Sequence, residues 1–361
     1  WVSTAKLKVD SRPVRKLQLS AQYRYDDRDN DTPVDTYDYV VADSFPATPL
    51  KNNPLSYTRN QVDLTANYRI NPTMSLRGGY QYEHMSRDYR QEEREETREH
   101  TLSGRWKLQP HNKVDISLYA EAGERDGSNY KAPAEENPAL RKYYLADRDR
   151  TRLGSSIDLL ATDTLSLSAR AEYIKDDYND SEIGLIDSKE PTYTLDASYQ
   201  PRSNITTYAY YTFQDIKSTQ KGSEAGTSTA DWEADFKDRT HTLGVGGKLT
   251  GIRGKWDIGA DIVLTKASGE VDMEKDFATG IPVTQYPDLD TDMTSLKIWT
   301  QYNYRRNIAW KLSYWYEDYS ADNWAVDNLQ ANSIPGLLLM DQETLDYDVH
   351  VVNASVIYRF D

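Results

Sequence analysis

The chain has 361 residues, with 43 Lys and Arg against 58 Asp and Glu and a net charge of −15; this argues against nucleic acid as a partner, because a phosphate backbone wants a basic face. It contains no cysteine, so disulfides, thiolate catalysis, zinc–thiolate sites and c-type haem attached to this chain are excluded. No run of about 18 apolar residues occurs, which removes a transmembrane helix but leaves open a membrane β-barrel, whose signature is alternation.

In chain order, about fifteen segments of roughly ten residues alternate with the strand period of two. The first covers 2–10. In the second, Leu17, Leu19, Ala21, Tyr23 and Tyr25 oppose Lys16, Gln18, Ser20, Gln22 and Arg24. Val62, Leu64, Ala66 and Tyr68 oppose Gln61, Asp63, Asn67 and Arg69; Val114, Ile116 and Leu118 oppose Asp115, Ser117 and Tyr119. Leu165, Leu167, Ala169 and Tyr173 oppose Ser166, Arg170 and Glu172, while Trp256, Ile258, Ile262 and Leu264 oppose Lys255, Asp257 and Asp261. Ile308, Trp310, Leu312 and Tyr314 oppose Lys311, Ser313 and Glu317. Ten residues at ~3.3 Å each, tilted by about 40°, cross ~25 Å of hydrocarbon. Leu17, Leu64, Leu118, Leu167, Ile258 and Leu312 are therefore expected to face lipid.

The aromatic residues fit that medium. There are 28 Tyr and 8 Trp against only 5 Phe, and Tyr and Trp gather where one end of a ring is dry and the other wet. The apolar faces often end on them, as at Tyr23/Tyr25, Tyr80/Tyr82 and Tyr314/Tyr316. Aromatic girdles at two membrane interfaces have this form.

Short polar turns at 10–16, 70–72, 109–112, 161–163, 200–204, 250–254 and 304–307 alternate strictly with long acidic loops at about 26–56, 85–97, 123–149, 175–191, 215–238, 266–291 and 318–347. Outer-membrane barrels pair short periplasmic turns with long extracellular loops in this way. The last strand follows a long loop and ends in the periplasm; counting back, the first also descends. The fold class expected is all-β, a transmembrane antiparallel up-and-down β-barrel in one domain. An odd strand count with an outside start reads as the C-terminal fifteen or so strands of a larger barrel, on the order of 26 strands.

Asn353, Ser355, Tyr358 and Phe360 resemble the C-terminal insertion signal of bacterial outer-membrane proteins, polar-x-Gly-x-x-aromatic-x-aromatic, with Ser355 in place of Gly and Asp361 after the last aromatic. Asp27, Asp29 and Asp31 are spaced carboxylates that could hold Ca²⁺, an oxygen-seeking cation, although the Gly and closing Glu of an EF-hand loop are absent. The run QEEREETREH (91–100) reads as a solvated strand extension or loop tip. His84, His100, His111, His241 and His350 are scattered without H-E-x-x-H or i,i+4 pairing, and read as wet-face or loop residues. No nucleophile elbow, P-loop or dinucleotide fingerprint points to an enzyme.

Residues 287–328 resemble the C-terminal hairpin of the MtrB/PioB family through Pro287-Asp288, the strand start Thr294–Leu296, Asn307 in the turn and YWYEDYSADNWAVD (314–327). YRYDDRDND (23–31) and HTLGVGGKL (241–249) are also similar to that family. The resemblance implies a sheath around a periplasmic multihaem cytochrome, in contact with an extracellular multihaem cytochrome and with lipid or lipopolysaccharide. Haem would be carried by those partners and no cofactor by this chain, apart from Ca²⁺ in the loops. Inward positions carry both signs, and Arg24, Arg69, Asp115, Arg170, Glu172, Lys255, Asp257 and Lys311 are the expected lumen-facing contacts. The alternative is a general diffusion porin or substrate channel. A porin usually carries an inward constriction loop, whereas the seven loops look alike in sequence.

Overall fold

A computed structural model describes residues 1–37, 50–52, 54–88, 93–132, 137–223, 229–276, 286–324 and 346–360. The strands are β1 (Val2–Val14), β2 (Leu17–Arg28), β3 (Thr36–Tyr37), β4 (Leu50–Lys51), β5 (Tyr57–Asn71), β6 (Met74–Arg87), β7 (Glu96–His111), β8 (Val114–Gly127) and β9 (Leu140–Arg141). They continue as β10 (Arg148–Thr162), β11 (Leu165–Asp177), β12 (Ile183–Arg202), β13 (Ile205–Gly222), β14 (Trp232–Ile252), β15 (Trp256–Asp276), β16 (Leu289–Arg305), β17 (Ile308–Asp322) and β18 (Tyr347–Tyr358). The fifteen long strands form one up-and-down antiparallel sheet in sequence order; two-residue β9 joins it beside β12, and β3 pairs β4 apart from it. Each expected short turn is present, reduced to two or three residues between consecutive strand ends.

Register carries the alternating pattern around the sheet. Residues directly opposite in an antiparallel pair share a face. Val9 meets Ala21, which meets Leu64, which meets Tyr80, which meets Leu102. Further round, Ile157 meets Ala169, Leu195, Tyr211, Leu243 and Leu264 in turn. Leu17, Leu64, Leu118, Leu167, Ile258 and Leu312 all fall on this one face. A slip of one residue at any strand would break the chain of apolar partners, so the pattern fixes the pairing.

Exposure is inverted relative to a water-soluble protein. Along β10, Leu153 and Ile157 are exposed, while Arg150, Arg152 and Ser156 on the opposite face are half-buried. In a curved sheet, side chains converge on the concave side and diverge on the convex side. The polar face is therefore the inner wall and the apolar face the outer one, a combination suited to lipid.

Several stretches expected as loops are strand. β12 begins at Ile183, β13 runs to Gly222, β14 starts at Trp232 and β15 ends at Asp276, reaching well into the expected loops 175–191, 215–238 and 266–291. The outer face shows why alternation stops there. It is Ile262 and Leu264 low on β15, then Lys266 opposite His241, then Glu270, whose carboxylate pairs with Arg239 at 2.9 Å and Lys237 at 3.3 Å. Above that girdle both faces are wet, so the hydrogen-bonded ladder continues without an apolar period. Pro191 sits in one such extension; the ladder to β13 skips Glu190 and Pro191 without changing register, the position a residue lacking N–H tolerates.

The sheet has two edges, β1 and β18. In a strictly alternating order of fifteen, the first and last strands run in the same direction, so antiparallel pairing between them is not available.

Candidate functional site

The inner wall is built by the odd or even positions left over once the apolar residues face lipid. Arg24, Arg69, Asp115, Arg170, Glu172, Asp257 and Lys311 lie on this face. Arg24 binds the buried carboxylate of Asp26 at 2.7 Å, and Arg59 binds the same carboxylate at 2.7 Å. Glu172 takes Arg152 at 2.7 Å. Asp257 is tied to the turn, accepting from Gly251 N at 2.8 Å and Asn303 Nδ2 at 3.0 Å. Lys311 sits 5.2 Å from the centre of the Trp299 ring. Lys255 departs from the expected set: it lies in the turn between β14 and β15, with Nζ 5.8 Å from the ring of Tyr302, which belongs to the outer face with Trp256.

The wall is not uniform around its circumference. Across β5 to β12 it is charged and hydroxylated. Across β13 to β17 it carries Tyr208, Tyr210, Trp299 and Trp315. Trp315 donates to Ser295 Oγ at 2.9 Å, and Lys297 Nζ lies 4.8 Å from its ring centre. Tyr208 donates to Asp261. Gly244 and Gly259 let these rings lie along the wall: a Cβ at Gly244 would collide with the Tyr210 ring, and one at Gly259 with Trp299.

At the long-loop end a small cluster rests on the inner face, and the sequence did not single it out. Leu145 and Ala146 are wholly buried, with Tyr178, Ile183 and Ala139 nearly so. Arg125, on the inner face of β8, donates to Ala146 O at 2.9 Å and Tyr143 O at 2.5 Å. Arg94 donates to Leu145 O at 2.8 Å and pairs with Asp147 at 2.6 Å, and Lys142 pairs with Glu93. Beneath lies a network in which Arg150 grips both oxygens of Asp176 at 2.7 Å and Arg148 binds Glu99 at 2.8 Å. Within the loop expected at 123–149, the described residues 137–147 fold inward. The signal was weak because it lies in single arginines at positions where alternation has ended.

Three histidines depart from the expected placement. His100, His241 and His350 lie on the outer face at the upper girdle, not on the wet face or in loops. Each makes a hydrogen bond between Nδ1 and a Tyr hydroxyl, from Tyr80 at 2.8 Å, Tyr211 at 2.7 Å and Tyr314 at 2.7 Å. Each also packs on the aromatic two residues further along, Tyr82, Phe213 or Tyr316, at 4.7–4.9 Å. The repeated Tyr-x-aromatic opposite a His in the next strand was visible in the sequence as YQY, YTF and YWY. His84 Nε2 lies 3.5 Å from Glu96, and His111 Nδ1 accepts from Lys113 N at 3.3 Å in its turn.

The expected Ca²⁺ carboxylates are not gathered. Asp27 is within β2 on the face opposite Asp26, and Asp29 contributes main-chain contacts to Trp1. Asp27 lies in the strand while Asp29 and Asp31 follow it, and among the described residues no group of three His, Asp or Glu could hold a metal ion. At the chain end, Asn353 and Ser355 face inward opposite Ser313 and Lys311. Tyr358 faces outward opposite Ile308, edge-on to Phe360 with ring centres 4.8 Å apart. Asp361 lies outside the described residues.

Residues 2–360 match the family model described as a putative outer membrane beta-barrel porin, MtrB/PioB. The chain is 30% identical over 358 residues to the outer membrane protein MtrB of Shewanella baltica (strain OS185), covering 98% of this chain and 50% of that protein. It thus spans about half the length of the curated relative it matches. Among solved structures it is similar to the copper transporter OprC, with a TM-score of 0.46, 9% identity and coverage of 91% and 62% of the two chains. It is also similar to the siderophore receptor PirA from Pseudomonas aeruginosa, with a TM-score of 0.42, 7% identity and coverage of 89% and 67%. With the family model covering nearly the whole chain, and an exposed apolar outer face that suits lipid, this protein belongs to the MtrB/PioB family of porin-like β-barrels and resides in the bacterial outer membrane.

Proposed function

We propose that this chain supplies the wall of a sheath that holds a multihaem c-type cytochrome across the outer membrane and so enables transmembrane electron transfer. A second, extracellular cytochrome would meet the long-loop face. The observation that carries this reading is the inner wall. It offers charges of both signs, hydroxyls and, across β13 to β17, flat aromatic rings, a surface suited to a large polar protein rather than to ion selection. Each wet ion pair is worth little, ~0–1 kcal/mol, but many such contacts around an enclosed partner fix its orientation. The edges β1 and β18 run in the same direction, which rules out antiparallel pairing between them, and barrels of about 22 strands already hold a plug domain. Haem stays with the partners in this reading; this chain insulates and positions.

The inward-folded segment 137–147 favours a second reading, a diffusion porin narrowed at its outer mouth. Liposome reconstitution separates the two. The full-length barrel with its cytochrome should reduce or oxidise an enclosed dye, and the cytochrome should block leakage of small solutes. Free solute passage that the cytochrome neither blocks nor couples to electron transfer would establish the porin reading instead.

A further inference from the structure

We propose that a basic recess on the inner wall between β5 and β8 is the seat for surface carboxylates of the protein held in the lumen; this rests on the sheath reading above. The recess encloses about 460 Å³ and is lined by Arg77, Arg105 and Lys107 together with Thr65, Asn67, Ser75, Ser103 and Tyr119. No carboxylate lines it, in a chain whose acidic residues outnumber its basic ones, 58 to 43.

Arg77 and Arg105 are direct cross-strand partners on the same face, with Asn67 on one side of the row and Tyr119 on the other. Like charges placed so are destabilising. Several arginines elsewhere on the wall are neutralised: Arg24 and Arg59 on Asp26, Arg150 on Asp176, Arg152 on Glu172. Among the described residues, no carboxylate comes within ion-pair distance of Arg77, Arg105, Lys107 or the neighbouring Arg69.

Arg105 is nonetheless held in place. Its guanidinium stacks 5.0 Å from the centre of the Tyr119 ring, with Arg152 at 5.4 Å from the same ring and the Tyr119 hydroxyl donating to Glu121. Tyr119 thus separates a neutralised arginine from one left open. Between the long cations, the short side chains of Thr65, Ser75 and Ser103 form the floor. They and Asn67 donate no side-chain hydrogen bond within the described residues, so their donors are available to an anion as well.

The spread of the cations selects the ligand. Arg105 and Lys107 are two residues apart on one strand, ~7 Å along it, and Arg77 lies across from Arg105. That exceeds the reach of one small anion and fits several carboxylates fixed on a protein surface, which planar guanidinium forks grip two oxygens at a time. The recess lies near the short turns at 72–73 and 112–113, the periplasmic end in barrels of this layout. A protein entering from that side meets it early, where charge complementarity steers encounter.

The test uses the full-length barrel purified from its own host, with c-type haem quantified per barrel across a salt series. The wild type should retain haem protein and release it steeply as salt rises. Arg77→Gln/Arg105→Gln/Lys107→Gln should retain about tenfold less and lose most of that salt dependence, whereas Arg77→Lys/Arg105→Lys, which keeps the charge but not the forks, should retain an intermediate amount with the wild-type salt dependence. Should the triple variant not assemble, Arg77→Gln and Lys107→Gln alone carry the test, each with about threefold weaker retention. Unchanged retention and salt dependence in the Gln variants would overturn the recess and leave the sheath standing. A wild-type barrel that retains no haem protein at all overturns both.

Discussion

The lower and upper parts of the same strands are held together by different physics. Below the outer aromatic girdle, the outward face of β15 is Ile258, Ala260, Ile262 and Leu264; above it, the same face is Lys266, Ser268 and Glu270. The lower part gains its stability from lipid on one side, and its inner wall is free to carry charge. The upper part has water on both sides and stands on ion pairs, such as Glu270 with Arg239 and Lys237, and on the small cluster around Leu145. The hydrogen-bonded ladder is common to both. Alternation of apolar residues therefore reports the medium around a strand, not the strand itself.

That contrast is open to direct attack, and the largest effect is expected in the upper part. Asp176 is buried and gripped by Arg150 through both oxygens. Asp176→Ala leaves Arg150 and the nearby Arg148 without that partner, at a cost of about 3–5 kcal/mol, the range for breaking a buried pair from one side. Limited proteolysis should then cut residues 137–147 while the lower strands stay protected. Uniform loss of protection along β8 and β10 would show that the two parts do not have separate supports.

In the lower part, Ile262→Arg places a charge at mid-bilayer depth and should cost about 2–4 kcal/mol in denaturant unfolding from lipid. Ser268→Arg, on the same face of the same strand but above the girdle, should stay within about 0.5 kcal/mol of wild type. Equal costs at the two positions would place the membrane boundary elsewhere.

The same contrast explains what could be read in the sequence. Strand identity, direction, the seven short turns and the lipid face from Leu17 to Leu312 were legible, because hydrocarbon enforces an apolar residue at every second position. The strand extensions at 183–191, 215–222 and 266–276 were not, because with water on both faces they read as polar loop. The inward fold of residues 137–147 depends on Arg125 and Arg94 reaching main-chain carbonyls, and no periodicity marks such contacts. Parity alone places Lys255 inward, and the turn that holds it overrides parity. The carboxylates Asp27, Asp29 and Asp31 resemble a site by spacing alone; Asp27 lies in β2 and the other two beyond its end, and in extended chain residues two apart sit ~7 Å from one another, too far to share one ion without a turn.

A smaller effect tests the aromatic side of the inner wall. Gly244→Ala puts a methyl where the Tyr210 ring lies, so the ring must leave the wall or the strand must shift. Overpacking of this kind costs about 1–3 kcal/mol. The loss should be largely relieved in Gly244→Ala/Tyr210→Ala, where the two changes no longer add, as expected for residues in contact. Strict additivity would mean that the ring does not rest on the glycine.

The smallest effect has the opposite sign. If the lipid side holds the lower strands together, inner-wall charge can be arranged for a partner at the expense of the barrel's own stability. Arg77 opposite Arg105 is such an arrangement. Arg77→Gln removes a like-charge pair from the sheet while keeping a polar side chain of similar length, so the barrel alone should become more stable by about 0.2–1 kcal/mol. The gain should shrink as salt is raised, because screening already weakens the repulsion in the wild type. Position 152 supplies the contrast: Arg152→Gln removes one half of the pair with Glu172, on partly exposed side chains, and should lose up to about 1 kcal/mol. Both are read from unfolding midpoints of the partner-free barrel at low and high salt. A destabilised Arg77→Gln at low salt would mean that the two arginines are already neutralised within this protein, and the wall would then differ from place to place in residue type but not in unmet charge.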